Sequence, residues 1–411
     1  MIITAQQYMN TVSADIDLPP AIVEIFNAYR TAGKDLFLVG GAVRDYIMGI
    51  EPTDWDLVTN VLPDESKLIL SDYNVSDEQG KCFGVIRAIV DDCVYEIASY
   101  RKDISCDNND QKVTMGSSIT IYDDCLRRDL TINALFYDIC NKQIIDMVGG
   151  IDDIKNAIVR AVGNPLERIK EDRLRICRIF RFAARYNATI DDDTSSAIKQ
   201  DNILIGLSRG RIWSEFKKAY KQSPDFNVYL ALLTEYNMWG QIFCNCIINT
   251  LFKRVSQTGA MNTLFKRVSQ TGAMNTEVVV STNFVIILAN LFRFEQINHI
   301  FESKLVQQCG MESKLSRNIA FLLEFRDLTT DNVYDIYKKR QRCSIDDGTI
   351  NEWMEICQLS NIQHVVFLLY KPTVSTQDLI KTGLAGKAIG LEIARLESVN
   401  FQRLISNYSC D

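Results

Sequence analysis

Histidine and proline are scarce in this chain of 411 residues, which contains two histidines and seven prolines. His299 and His364 lie far in sequence from each other and from Cys244 and Cys246, the only two of the 12 cysteines that sit close together. No CxxC motif is present, so we expect no zinc site and interpret the cysteines as buried free thiols. The modest proline and glycine content also excludes a low-complexity or fibrous chain.

Long apolar segments are absent as well. Runs such as 284–291 fall well short of the ~20 residues that cross a membrane, and no export signal is expected. Free thiols without such a signal predict a location in the reducing cytoplasm. The net charge of −7 disfavours a protein that coats nucleic acid indiscriminately, although it is compatible with a local basic surface.

The first 150 residues alternate strand and helix signals, whereas helical spacing dominates from about residue 151 onwards. The polar stretch 103–118 is predicted to be a loop. The elements predicted in the first part are strands at 35–39 and 54–59, a helix at 42–48, and a hairpin of 85–90 with 95–100 around Asp91-Asp92.

Residues 249–261 and 262–274 carry the same 13-residue sequence, NTLFKRVSQTGAM. Structural repeats diverge in sequence and usually have periods of ~20–50 residues, so two perfect copies indicate a recent duplication instead. We predict a lengthened loop or helix near the surface, where an insertion costs little free energy.

The strongest chemical signal is GGAVRD at 40–45, followed after eight residues by DWD at 54–56. Two glycines between a strand and a helix let backbone N–H groups approach a phosphate, with which Arg44 can pair bidentately. Asp54 and Asp56 are expected to project from one face of a strand and to offer the carboxylate oxygens that Mg²⁺ prefers. Such a site predicts nucleotidyl transfer. The glycines lack the GxGxxG pattern, which excludes an NAD-dependent enzyme.

A second cluster is RRDLTINA at 127–134. Adjacent arginines can form a plain surface charge run. The alternative is that Arg128 holds triphosphate oxygens, with Asp129 fixing its orientation, and that Asn133 contacts the sugar.

A third cluster spans 168–185 and has seven basic residues against two acidic ones. Arg175, Arg178 and Arg181 recur every three residues, so they line one face of a predicted helix, and we place Asp172 on that face too. A carboxylate beside a guanidinium offers an acceptor and a fork of donors, which together can read the Watson–Crick edge of a base. A solvated, salt-bridged helix is the alternative.

In this combination the motifs resemble those of the class II tRNA nucleotidyltransferases, or CCA-adding enzymes, and of the related bacterial poly(A) polymerases. The resemblance runs in order through GGAVRD with DWD, RRDLTINA and ERIKEDRLRICRIFRFAARY, and covers about residues 30–225. LSRGRIWSE at 207–215 and TGLAGKAIG at 382–390 also resemble segments of some members.

The resemblance implies an α+β fold, in which a polymerase-beta-like nucleotidyltransferase head with a mixed sheet is followed by an all-helical neck, body and tail. The implied domains are a catalytic head at 1–150, a nucleotide-selecting neck at 151–225, a body at 226–330 and a tRNA-binding tail at 331–411.

The resemblance also implies a reaction: template-independent addition of CCA to the 3′ end of tRNA from CTP and ATP, with release of pyrophosphate and Mg²⁺ as cofactor. It implies no membrane and no protein partner. Asp54 and Asp56 are the implied catalytic residues and metal ligands, and Glu96 is a further candidate carboxylate. The implied nucleotide-binding residues are Gly41, Arg44, Arg128, Asp172, Arg175, Arg178 and Arg181, of which the last four would select CTP and then ATP.

Three alternatives share these motifs. A poly(A) polymerase would have the same head and neck, and an enzyme that adds only CC or only A is equally compatible with them. The third alternative is a non-catalytic RNA-binding protein that kept the fold. Loss of a metal-binding carboxylate would favour it, but both Asp54 and Asp56 are present.

Overall fold

The computed structural model describes residues 10–76, 84–104, 112–115, 118–201, 204, 206–243, 283–292, 305–307, 309–357, 359 and 361–408. The duplicated segment 249–274 therefore lies outside the described residues. The chain divides into two units, Met1–Leu207 with Glu215–Tyr236, and Ser208–Ser214 with Asn237–Asp411. The finer division into head, neck, body and tail stays a prediction.

A mixed eight-stranded sheet forms the framework of the first unit. The strands of this unit are β1 (Asn10–Ser13), β2 (Leu36–Val39), β3 (Asp56–Thr59), β4 (Asn74–Ser76), β5 (Val85–Val90), β6 (Cys93–Ser99), β7 (Arg101–Ile104), β8 (Lys112–Met115), β9 (Leu135–Asp138), β10 (Gln143–Asp146), β11 (Ile158–Val159) and β12 (Thr189–Ile190). The strand order in the large sheet is β1-β10-β9-β2-β3-β6-β5-β4. Its neighbouring strands are antiparallel except β3 and β6, which run parallel.

The first unit also contains α-helices. They are α1 (Pro20–Thr31), α2 (Gly41–Ile47), α3 (Pro63–Ile69), α4 (Ile121–Leu126), α5 (Gly150–Lys155), α6 (Pro165–Glu171), α7 (Leu174–Tyr186), α8 (Asp192–Gln200), α9 (Arg209–Gln222) and α10 (Phe226–Glu235). Helix α9 contributes residues to both units. The prediction of a mixed-sheet part followed by helices is confirmed, with the short parallel pair β11–β12 as a local addition.

Strand β2 shows why the sheet is buried on both faces. Leu36 and Leu38 pack into one apolar cluster, and Phe37 and Val39 pack into a separate cluster. Since side chains alternate along a strand, a strand covered on both sides needs consecutive apolar residues rather than an alternating pattern. The sequence LFLV meets that need and fixes the position of the glycine turn that follows it.

The predicted strand 35–39, helix 42–48 and hairpin are confirmed. Asp91 and Asp92 take φ values of 49° and 60°, as a two-residue hairpin turn requires. Two predictions are wrong in part. The strand predicted over 54–59 begins only at Asp56. The stretch 103–118, predicted to be a loop, includes strand residues of the antiparallel pair β7–β8, in which Thr114 supplies a β-branched side chain.

In the described part of the second unit the named elements are all helices. They are α11 (Trp239–Phe243), α12 (Phe284–Phe292), α13 (Ser313–Arg326), α14 (Val333–Arg340), α15 (Asp347–Ile356), α16 (Ile362–Leu369), α17 (Thr376–Lys381) and α18 (Lys387–Tyr408). Trp353 is fully buried and donates its indole N–H to the carbonyl of Leu322 at 2.8 Å. Among the described helices, we find none with the length and apolar character needed to cross a membrane.

Candidate active site

The glycine turn connects β2 to α2. Gly40 has φ 70° and ψ −117°, a conformation that is open to glycine and strained for other residues. Its N–H donates to the carbonyl of Leu135 on the neighbouring strand at 3.0 Å. A Cβ placed on Gly40 would lie 3.6 Å from Nη1 of Arg128, and one on Gly41 would lie 3.7 Å from Nη2 of Arg44. Two guanidinium groups therefore flank the turn.

We expect Gly40→Ala to lower the free energy of unfolding by about 1–3 kcal/mol, because alanine is strained at this φ and ψ. If the turn binds phosphate, as its sequence predicts, that binding should weaken as well, since relaxing the strain moves the backbone N–H groups of the turn. Gly33→Ala is the matched control: Gly33 also has a positive φ, of 69°, but nothing lies near its Cβ position. Urea denaturation of both variants and their titration with inorganic tripolyphosphate test this, and equal loss of tripolyphosphate affinity in the two would contradict it.

The carboxylates lie beside this turn because of the register of the sheet. Asp56 is the first residue of β3. It pairs with Val39 of the neighbouring strand β2, the residue that precedes Gly40. On its other side Asp56 pairs with Glu96 of β6, so Glu96 is its in-register neighbour. Asp54 precedes the strand, and both Asp54 and Asp56 are exposed. The carboxylates therefore do not point into an apolar interior.

Negative charge accumulates at Asp56. The surrounding protein partly desolvates its carboxyl group and raises its pKa; Glu96 and Asp54 act in the same direction, and Arg128 opposes them. Glu96 is itself ion-paired with Arg87 at 2.9 Å. A cation near Asp56 would relieve this repulsion.

Arg128 is held beside the turn by Asp124 and not, as the sequence suggested, by Asp129. The carboxylate of Asp124 is completely buried and accepts from Arg128 at 2.8 Å and from Arg127 at 2.8 Å. Burial alone would raise the pKa of Asp124, but the two arginines outweigh it and lower that pKa. The guanidinium of Arg128 also packs over the ring of Phe136, 5.1 Å from its centroid.

Asp129 instead joins the turn region to α7. It accepts from Nε of Arg178 at 2.6 Å and from the side-chain amide of Asn133 at 3.2 Å. Burial would raise the pKa of Asp129, but the charge and hydrogen bonds of Arg178 and the bond from Asn133 lower it to about 2. Asn133, which was predicted to contact a sugar, uses its amide oxygen to accept from Arg44.

The row of three arginines lies on α7 as predicted, and each has a protein partner. Arg175 donates to Glu171 at 2.8 Å and to the carbonyls of Arg168 and Arg127, each at 3.0 Å. Arg181 is 4% exposed and bonds Glu215 at 2.7 Å, and the charge of Arg181 holds the pKa of Glu215 below its usual value although burial opposes this.

Asp172 does not lie on the helix face with these arginines. Its backbone is extended, with φ −144° and ψ 102°, and it separates α6 from α7. Its carboxylate accepts from the backbone N–H of Leu174, the first residue of α7, at 3.1 Å.

Two acidic partners of the site arginines, Asp124 and Glu215, were not predicted from the sequence. The sequence does contain a signal for Asp124, which stands three and four positions before two arginines, at the end of a helix whose start is marked by the capping box of Thr120 and Asp123. Glu215 gives no comparable signal, because it is 34 residues from Arg181.

Comparison with known proteins gives one family match. Residues 36–160 match the family described as the poly A polymerase head domain. Curated relatives of two kinds are similar to the chain. Poly(A) polymerase I of Salmonella typhi is 28% identical over 238 residues, which cover 55% of this chain and 50% of that protein. The CCA-adding enzyme of Ligilactobacillus salivarius is 36% identical over 181 residues, 44% of each protein. The chain thus spans about half the length of the curated relatives it matches.

Solved structures match over nearly the whole chain. The CCA-adding enzyme of Bacillus stearothermophilus in complex with CTP has a TM-score of 0.64 at 20% identity, and the match covers 95% of this chain and 94% of that one. A CCA-adding enzyme in complex with ATP has a TM-score of 0.60 at 18% identity, covering 96% of both chains. At these identities the likeness establishes the fold, and the α+β fold with a polymerase-beta-like head is confirmed. The motif-based resemblance to the two groups of enzymes is confirmed by the relatives.

Proposed function

We propose that this chain, whose residues 36–160 belong to the head-domain family found in poly(A) polymerases, adds C, C and A to the 3′ end of tRNA from CTP and ATP. One observation carries the proposal: the sheet places Asp56 beside the glycine turn and Arg128, and Asp129 ties that turn region to the arginine row of α7. Phosphate-binding and base-selecting groups thus belong to one connected site. The domain boundaries at residues 150, 225 and 330 and the cytoplasmic location are parts of this proposal.

In each cycle the 3′ hydroxyl oxygen of the tRNA attacks the α-phosphorus of the bound nucleotide. A new P–O bond forms, the bond to the β-phosphate oxygen breaks, pyrophosphate leaves, and the hydroxyl proton is lost to solvent or a nearby base. Gly41, Arg44 and Arg128 bind the triphosphate, so that its α-phosphorus faces the hydroxyl. Positioning and charge neutralisation supply most of the rate in such a reaction.

The residues at the turn fit a magnesium ion. Mg²⁺ is usually held by one or two carboxylates together with substrate phosphates and waters, and Asp54 and Asp56 offer two carboxylates. The in-register pairing of Asp56 with Glu96 adds negative charge beside it, which supports the same assignment. When bound, the ion neutralises phosphate charge and lowers the pKa of the attacking hydroxyl.

Nucleotide selection is assigned to Asp172 and the arginine row. Arg175 is fixed by carbonyls from two separate segments, and Arg178 and Arg181 are fixed by carboxylates. Fixed donors discriminate between bases more strongly than mobile ones, since a mismatched base leaves them unpaired.

We expect Asp172→Ala to lose discrimination between CTP and ATP by about tenfold, while total nucleotide incorporation falls less. The carboxylate is proposed as an acceptor for a base edge and has no part in the phosphate chemistry. Asp201→Ala is a useful control, because Asp201 accepts from the neighbouring Arg173 at 2.6 Å and has no assigned role in selection. Competition assays with both nucleotides measure the ratio; an unchanged order of C before A in Asp172→Ala would contradict the role.

The tRNA is proposed to bind through its backbone and shape. The candidate contacts that we propose for the tRNA phosphates are six basic side chains. Two of them, Lys217 and Lys218, lie on α9, and Lys218 is half exposed and lies 3.3 Å from Glu215. The others lie outside the described residues: Lys253, Arg254, Lys266 and Arg267. If several lysines and arginines engage phosphates, the affinity falls steeply as salt is raised.

Poly(A) polymerase is the second candidate, and the 28% identity over 238 residues to such an enzyme favours it. Labelled CTP separates the two functions. When CTP is the only nucleotide and the tRNA lacks its CCA end, we expect two labelled residues per tRNA. A poly(A) polymerase would leave the label unincorporated.

A further inference from the structure

The guanidinium of Arg44 is enclosed between the glycine turn and the last two turns of α7. Only 4% of Arg44 is exposed. The rings of Phe182 and Tyr186, which stack with centroids 6.1 Å apart, have their centroids 5.2 and 5.3 Å from its central carbon. Two side chains of a helix remote in sequence thus contact the arginine that lies at the turn.

Asp45 fixes the edge of this guanidinium. Its Oδ1 atom accepts from Nε of Arg44 at 2.9 Å and from Nη2 at 2.7 Å. The same oxygen accepts from the phenol O–H of Tyr186 at 3.2 Å, and its second oxygen lies 3.6 Å from Arg185. Asp45 therefore holds Arg44 and is itself held by α7.

A second connection runs from Arg44 to the same helix. Its Nη1 atom donates to Asn133, which donates to Asp129, which accepts from Arg178. Arg44 is consequently tied to α7 at two points eight residues apart, through Tyr186 and through Arg178. The motif GGAVRD does not fix Arg44 by itself, because Asp45 bonds only the edge of the guanidinium. The rings of α7 cover its face.

We infer that Tyr186 and Asp45 are positioning residues for Arg44, so that α7 sets the phosphate-binding end of the site as well as its base-selecting row. This inference rests on the proposed function for the role of Arg44. Tyr186 acts on phosphate through Asp45 and Arg44 and does not touch the nucleotide.

Inorganic tripolyphosphate is the probe that isolates this effect, because it carries the phosphate chain without a base or sugar. We expect Tyr186→Phe, which keeps the ring and removes only the hydroxyl, to weaken binding of tripolyphosphate and of CTP by the same factor, about three- to tenfold. Asp45→Asn should weaken both by at least as much. Tyr122→Phe is the matched control, since Tyr122 is an exposed tyrosine of the same unit, and it should bind both ligands like the unmodified protein.

A double variant tests whether Tyr186 acts through Arg44. Tyr186→Phe should cost nothing further when it is added to Arg44→Lys, because linked residues are non-additive. Additive losses, or a loss of affinity for CTP but not for tripolyphosphate, would overturn the inference; so would unchanged binding in both Tyr186→Phe and Asp45→Asn. The titrations involve no reaction, so failure of the unmodified protein to extend tRNA would count against the proposed function and leave this test intact.

Discussion

Asp56→Asn should lower the rate of nucleotide addition by about 10²–10³-fold or more, since it removes one of the two carboxylates proposed to hold the cation that neutralises charge at the transferred phosphate. Triphosphate binding should change much less, because Arg44 and Arg128 remain. Single-turnover incorporation of labelled CTP measures the rate, and CTP titration measures the affinity.

The matched control is Asp92→Asn. Asp92 is an exposed aspartate at the hairpin turn of the same sheet, with φ 60°, a conformation that asparagine accepts readily. It should react at the normal rate. An Asp56→Asn variant that also reacts normally would remove Asp56 from the chemistry.

Asp56→Asn should also stabilise the metal-free protein at neutral pH. The pKa of Asp56 is raised in the folded state, so its ionised form is disfavoured by folding and the stability of the unmodified protein increases as the pH falls through that raised pKa. Asparagine carries no charge, and its advantage should be greatest at neutral pH and disappear below the unfolded pKa of about 3.9. Thermal unfolding with and without Mg²⁺ tests this, because added Mg²⁺ should stabilise only the protein that retains the carboxylate.

Asp129→Asn should lower the free energy of unfolding by about 2–3 kcal/mol, because it leaves Arg178 without its counter-ion. This loss is at the low end for a broken buried ion pair, since the side chain of Arg178 is one third exposed. Nucleotide discrimination should fall with it, as Arg178 loses its fixed orientation. The control is Asp152→Asn, whose partner Lys155 lies 3.5 Å away with both side chains largely exposed. Such surface pairs contribute little, and that variant should be near neutral.

The effect of Asp129 on stability should depend on pH in a defined direction. Its folded pKa of about 2 lies below the ordinary value of 3.8, so the stabilisation is complete above about pH 4 and is lost as the pH falls towards 2. The difference in unfolding free energy between Asp129→Asn and the unmodified protein should shrink over that window. A difference that stays constant down to pH 2 would show that the charge of Asp129 is not what stabilises the fold.

Local patterns predicted the parts of the head that local physics determines. The apolar run at 36–39, the glycines after it and the Asp91-Asp92 turn each specify backbone geometry over a few residues, and all three lie where they were expected. The error at Asp172 has the same local origin. An aspartate can either continue a helical face or lie in the break between two helices, and the spacing to Arg175 does not distinguish these alternatives.

The pairing within the site could not be predicted in the same way. Asp129 and Arg178 are separated by 49 residues, and Tyr186 and Asp45 by 141; only the folded chain determines which carboxylate reaches which arginine. Because Asp129 is adjacent to Arg128 in sequence, we predicted that these two residues pair. The actual partner of Arg128 is the buried Asp124, which lies one helical turn earlier. For the same reason, the sequence did not identify Phe182 and Tyr186 as residues that contact Arg44.

The most direct measurement is to sequence the 3′ ends made when tRNA that lacks its terminal CCA is incubated with the protein, CTP and ATP together. We expect products that end in C, C and A and then stop. Runs of A added directly to the truncated end would contradict it, as would recovery of the tRNA unextended.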